Sequence, residues 1–450
     1  MTEASDFLWG VATAAYQIEG AVAEGGRGPS IWDTFSHTPG RTERGATGDV
    51  ACDHYRRVEQ DVDLMRALGV DAYRFSIAWP RVVPDGAGAV NEEGLRFYSD
   101  LVDRLVDVGI RPVPTLYHWD LPQALEDRGG WRNRETVDAF AGYAAACVEA
   151  LGDRVKQWAT LNEPWCSSFV GHWHGRHAPG HHDIDEAFAA AHHLLLAHGR
   201  SVEAMRELRP ECTYGIVLNS LPYRPAAGVD PSDVGRQVEM LDAVGTGLFY
   251  GGVLTGAYPS KVFDLSKSLS DVVRPDDMRV VGAPLDWLGV NYYSDTLVVP
   301  SDEKGFVYPF VDGISTQPPE RPTDMGWALT PLGLTDFLVR LNRRYEGIPP
   351  IYVTENGAAY DDPIRADGTI ADSRRIAYLE THIEALEAAI EAGVDVRGYF
   401  VWSLLDNFEW SYGYRMRFGL IHVDFDTLVR TNRDSFWWYR DRIAMARGNG

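Results

Sequence analysis

The chain has 450 residues, 45% of them hydrophobic and 24% charged, enough to bury a substantial core without disulfide or metal staples. A formal net charge of −23 and the lack of any basic run argue against nucleic-acid and anionic-membrane partners. The four cysteines, Cys52, Cys147, Cys166 and Cys212, form no CxxC pair and no metal-ligand spacing, so buried free thiols in a reducing compartment are expected.

Residues 1–6 are acidic and run directly into the first apolar segment, leaving no room for a signal peptide. No apolar run reaches membrane length, and a cytoplasmic protein is expected. From there, short strand-like runs alternate with longer amphipathic ones. Strand patterns cover residues 7–14, 72–79, 111–119, 157–161, 213–219, 287–293, 350–354 and 396–403. Helical patterns cover residues 54–68, 93–108, 135–151, 186–208, 234–246, 331–345, 373–391 and 433–446. In the first of these, Val58, Val62, Met65 and Leu68 share one face; in the third, Val137, Phe140, Ala144, Cys147 and Leu151 do. Gly69, Gly109, Gly152 and Gly393 stand just past helix ends, where a left-handed residue closes the last turn.

Eight alternating units predict the α/β class and a parallel sheet closed into a single (β/α)8 TIM barrel with long βα loops, one catalytic domain over residues 1–450. A doubly wound open sheet is the alternative, but no strand is followed by a dinucleotide fingerprint. Gly25, Gly26 and Gly28 open no helix; Pro29, Ser30 and Trp32 follow them. The stretch 300–326, rich in Pro, Asp and Gly, reads as a loop after strand six.

Barrel sites gather at the C-terminal strand ends. Those ends carry Gln17, then Tyr117-His118-Trp119-Asp120, Asn162-Glu163-Pro164-Trp165, Asn291-Tyr292-Tyr293, Glu355-Asn356-Gly357, and Trp402 with Asp406, Phe408, Glu409 and Trp410. Amides and carboxylates can hold hydroxyls while indoles stack on C–H faces, the mixture a sugar needs. Glu163 at the end of strand four and Glu355 at the end of strand seven should face each other, as acetal cleavage by two carboxyls requires. Trp9, Trp32 and Trp79 read as packing residues and Cys166 as a small buried filler. His172, His174, His177, His181 and His182 match no metal template and fall in a Gly/Pro-containing loop after strand four, so neither metal nor cofactor is expected. His192, His193 and His198 lie on a helix, where core packing or surface exposure is expected.

With these residues in view, the chain resembles the family 1 glycoside hydrolases, the β-glucosidase and β-galactosidase group. The resemblance runs end to end, through Phe7-Leu8-Trp9-Gly10, Tyr16 to Gly20, Tyr73 to Arg81, Tyr117 to Pro122, Thr160 to Pro164, Val353 to Gly357 and Trp402 to Trp410. It implies a retaining β-glycosidase acting on terminal, unphosphorylated β-D-glycosyl residues through a covalent glycosyl-enzyme. In that reading Glu163 is the acid/base, Glu355 the nucleophile, and Arg74 and Tyr293 support the nucleophile. Asn162 meets the sugar 2-hydroxyl. Gln17, His118, Trp119, Asn291, Glu409 and Trp410 clamp the sugar over Trp402, while Trp327 and Phe418 complete the substrate walls. The partner implied is a small-molecule β-glycoside. A non-catalytic sugar-binding barrel, a 6-phospho-β-glycosidase and a transglycosylase stand as alternatives. Members that cleave 6-phosphoglycosides carry Ser, Lys and Tyr where this chain has Glu409, Met416 and Phe418. The histidine-rich segment around position 172 departs from the family pattern and leaves the aglycone preference open.

Overall fold

Eight short segments rich in apolar side chains pair edge to edge into a closed parallel barrel in the computed structural model, which describes residues 7–448. The acidic lead-in, residues 1–6, lies outside the described residues. The strands are β1 (Leu8–Ala12), β2 (Ala72–Ser76), β3 (Arg111–Tyr117), β4 (Gln157–Asn162), β5 (Thr213–Asn219), β6 (Trp287–Asn291), β7 (Ile351–Asn356) and β8 (Val396–Trp402). Each pairs with its neighbours in sequence, and β1 closes on β8 from Leu8↔Gly398 to Ala12↔Trp402.

One long helix follows each strand: α1 (His54–Leu68), α2 (Glu92–Asp107), α3 (Glu135–Leu151), α4 (Ile184–Leu208), α5 (Pro231–Asp242), α6 (Pro331–Arg344), α7 (Ser373–Glu391) and α8 (Asp434–Ala446). Their apolar stripes face inward; α2 buries Tyr98, Leu101, Val102 and Leu105, spaced three and four apart. The helical histidines are buried rather than exposed, each with a polar partner. His192 meets Tyr258 and Asp277, His193 the Trp131 carbonyl and His198 the Thr160 hydroxyl.

The barrel interior is filled, not hollow. Phe400 packs with Leu8, Ala72 and Val113 on one side, and Trp287 with Ala159 and Val217 on the other. This plug separates the C-terminal mouth from a shallower opening at the N-terminal strand ends, lined by Arg111, Gln157, Thr213 and Trp287.

Several expected boundaries shift where backbone bends toward the mouth. β2 stops at Ser76, and Trp79–Val82 form a helical turn with Pro80 in its first positions, which suits proline's missing donor. β3 stops at Tyr117, because Trp119 takes a left-handed backbone, φ 78. β1 ends at Ala12 and β6 at Asn291, whereas β7 runs two residues further than its apolar pattern, to Asn356. The helix expected over 234–246 starts at Pro231 under an Asp230 cap and widens into a π-helix, Ala243–Gly251.

Three further expectations are corrected. Gly152 is right-handed (φ −70), unlike Gly69 and Gly393; a Cβ there would lie 2.5 Å from the Val148 carbonyl, so crowding explains the glycine. A helix, Ile31–His37, does follow the Gly25–Gly28 region, opened by a reciprocal capping box between Ser30 and Asp33. The stretch 300–326 is not all loop: Thr296–Pro300 and Ile314–Thr316 pair, and the former also pairs with Tyr223–Pro225.

Candidate active site

At the end of β4 the chain turns sharply. Glu163 sits at φ 45, a left-handed conformation costing on the order of 1–3 kcal/mol for a side chain with a Cβ. Its amide is tied to the Val217 carbonyl of β5 at 2.9 Å, which holds the turn and sends the carboxyl into the mouth. There Oε1 accepts from Asn291 Nδ2 at 2.7 Å and Oε2 from the Cys166 thiol at 3.1 Å. Burial first, and the Glu355 charge second, push this carboxyl up to about 7, against the opposing pull of those two donors.

Glu355 is delivered by β7, whose register slips against both neighbouring strands between Val353 and the strand end. Arg74 Nη1 donates to its Oε1 at 2.6 Å and the Tyr293 hydroxyl to its Oε2 at 2.7 Å. A buried guanidinium and a phenol both donate to this one carboxylate, the charged pair being the stronger bond. The two acids thus sit in opposite environments, one matched to a cation and one left to protonate.

A polar network fixes the groups between them. Asn162 Oδ1 accepts from Arg74 Nη2 at 2.7 Å and Asn291 Nδ2 at 3.1 Å, which settles which end of the Asn162 amide is oxygen. Its Nδ2 must then donate to His118 Nε2, 3.0 Å away. That acceptor role places the imidazole proton on Nδ1, which has no partner among the described residues and is a free donor. Burial, then the Arg74 charge, keep His118 neutral. Asn162 retains a second N–H for a ligand. Asn291 is oriented in turn by the Thr354 hydroxyl, which donates to its Oδ1 at 2.7 Å.

Glu163, Glu355, His118, Trp119, Asn291, Tyr293, Trp327, Trp402, Glu409, Trp410 and Phe418 all line one cavity of about 930 Å³. Gln17, Asn162 and Arg74 lie behind its wall. Gln17 Nε2 donates to Glu409 Oε2 at 3.3 Å, while its buried Oε1 has no partner among the described residues. Burial, then Glu355, push Glu409 up to about 8. Trp402 and Trp410 each stack against His118, at 5.8 and 6.0 Å between ring centres. Trp119 is a wall rather than a donor, since its indole N–H is spent on the Asn162 carbonyl at 3.0 Å.

Other strand-end residues serve the scaffold instead. Asp406 is fully buried between Arg433 and Arg417, at 2.8 and 3.1 Å. Asn356 clamps β7 through the Tyr292 carbonyl and the Tyr378 and Tyr399 hydroxyls. Gly357 is required because a Cβ would lie 1.9 Å from the Trp402 carbonyl oxygen. Tyr292 bonds Asp295 and Thr330, Phe408 is core, and Asp120 is fully buried away from the cavity. Cys166 is more than filler, because its thiol touches Glu163. Its place three residues past a turning glutamate was the available signal; nothing in the sequence marked Thr354. His172 lies in a π-helix, Cys166–Trp173, not a loop, and among the described residues no cluster of His, Cys, Asp or Glu could hold a metal ion.

The family model described as glycosyl hydrolase family 1 matches residues 2–448. The chain is 45% identical to "Beta-glucosidase A" of Acetivibrio thermocellus over 98% of each chain. It is 48% identical to the "Bifunctional beta-D-glucosidase/beta-D-fucosidase" of Bifidobacterium breve over 97% of each. Among solved structures, the β-glucosidase from Thermotoga maritima in complex with noeuromycin superposes with a TM-score of 0.91 at 45% identity, covering 99% of this chain and 98% of that one.

Proposed function

The chain belongs to glycosyl hydrolase family 1, and from that premise we propose that it hydrolyses neutral β-D-glucosides by double displacement, with Glu355 as nucleophile and Glu163 as acid/base. The observation that carries the assignment is the opposite setting of the two carboxyls. Glu355, held by Arg74 and Tyr293, attacks the anomeric carbon. Glu163, pushed up to about 7, protonates the departing oxygen and later takes a proton from water. The unpartnered Gln17 Oε1 and His118 Nδ1–H offer an acceptor and a donor to sugar hydroxyls. Asn162 spends its remaining N–H on the 2-hydroxyl, and Trp402 supplies the floor. The similarity to the Bifidobacterium breve protein supports some tolerance at the glycone 4- and 6-positions, because D-fucose, a 6-deoxy-D-galactose, differs from D-glucose at both.

The 6-position also bears on phosphate. Repulsion by an ionised Glu409 is not the obstacle in the empty site, because that carboxyl is raised to about 8. The obstacle is that no unengaged cation stands beside Met416 among the described residues. Met416 is buried against the Phe418 and Trp402 cluster, and its neighbours Arg415 and Arg417 are engaged by Glu43 and Asp406. A dianion would lose its hydration without a compensating charge. Comparing kcat/KM for 4-nitrophenyl β-glucoside and its 6-phosphate should favour the neutral substrate by at least about 100-fold, the cost of one unpaired buried charge. Preference for the phosphate would overturn this reading of Glu409 and Met416.

A further inference from the structure

The outer half of the cavity holds two arginines that the chemistry above leaves unused. Arg41, in the segment after β1, and Arg176, in the segment after β4, line the same cavity as the two catalytic carboxyls. Neither forms an ion pair with a carboxylate among the described residues. Arg41 lies over the Phe35 ring at 5.4 Å and reaches the Gly175 carbonyl only at 3.5 Å; Arg176 is exposed. In a chain with 65 acidic residues against 42 Lys and Arg, these two guanidiniums open onto one mouth.

The surroundings make that mouth cationic rather than mixed. Asp295, the one outer acid of the cavity, is already held by Arg224 at 2.9 Å and the Tyr292 hydroxyl at 3.0 Å. His177 beside Arg176 is kept neutral, pushed down to about 3 by burial and then by the Arg176 charge; His174 is lowered by burial as well. Deeper in, the Glu355 charge is matched by Arg74. The same cavity is also lined by the apolar and aromatic side chains of Trp165, Leu221, Pro318 and Trp327.

We propose that the leaving-group side of this site selects β-glycosides whose aglycone is an aromatic ring bearing a carboxylate, the ring packed on the apolar lining and the carboxylate met by Arg176 and Arg41. The assignment rests on the glycosidase reading and adds a substrate class to it. A guanidinium pair suits a planar carboxylate because its parallel donors match the two oxygens. The exposed position keeps the gain modest and sensitive to salt.

The test uses the β-glucosides of 4-hydroxybenzoate and of its methyl ester, with the wild-type chain, Arg176→Gln, Arg41→Gln and the double variant. The ratio of kcat/KM, acid over ester, is compared between variants, so that the differing leaving groups cancel. The double variant should lower the ratio about fivefold, the size of one favourable exposed ion pair, with turnover of the ester changed less than twofold. Raising NaCl should lower the wild-type ratio and leave that of the double variant flat. An unchanged ratio, or an equal fall on both substrates, overturns the anionic aglycone while the glycosidase reading stands. No turnover of either glucoside overturns both.

Discussion

Glu355→Gly should lower kcat/KM for an aryl β-glucoside by on the order of 10⁵–10⁶, the loss expected when a covalent nucleophile is removed. The chemistry then has no route to the glycosyl-enzyme, and water has no base on that face. Arg74 and Tyr293 remain in place and lose only their shared acceptor. Glycine leaves room beside the anomeric carbon, so a small anion such as azide or formate should restore turnover. Attack from the side opposite the leaving group would yield an α-linked azide from a β-glucoside. A variant that unfolds at the wild-type temperature, resists rescue and yet gains activity from no anion would point to a structural role for Glu355 instead.

Removal of Glu163 should cut more selectively. Glu163→Ala should slow alkyl β-glucosides by roughly 10²–10⁴, the usual contribution of general acid–base catalysis, and 2,4-dinitrophenyl glucoside far less in the glycosylation step. A good leaving group departs without a proton. The same variant should change the pH profile. The wild-type acid must be protonated, and its carboxyl is raised to about 7, so activity should fall as pH climbs through that value. With Ala at 163 that limb should vanish. Equal losses across a leaving-group series, or an unchanged alkaline limb, would contradict the acid role.

Much of the barrel was legible because its parallel strands are buried on both faces and read as short apolar runs between amphipathic helices. β5 and the helices α1, α3 and α7 fall where periodicity places them, residue for residue. Strand ends were the weak point, since the residues that bend into the mouth, Trp119 and Glu163 among them, adopt left-handed backbone that no propensity of theirs announces. The same holds for the π-turns after β4 and α5. Position along a strand end located the cavity lining but could not separate it from the scaffold. Asp406 and Asn356 have the polar character of ligand-binding residues, and only their long-range partners Arg433, Tyr378 and Tyr399 show that they anchor the barrel. Thr354 was unreadable for the converse reason, acting through one contact with Asn291, distant in sequence, while the contact of Cys166 with Glu163 across a turn left only its spacing as a sign.

The most direct test of the account is the stereochemistry of the first product. Retaining chemistry requires carboxyl groups only about 5 Å apart, which leaves no room for an inverting water between nucleophile and sugar. Proton NMR of 4-nitrophenyl β-glucoside hydrolysis, recorded before mutarotation, should therefore show the β-anomer of glucose accumulating first, with the α-anomer appearing only as equilibrium is approached. Initial accumulation of the α-anomer would contradict the assignment of Glu355 as nucleophile, and with it the double-displacement mechanism.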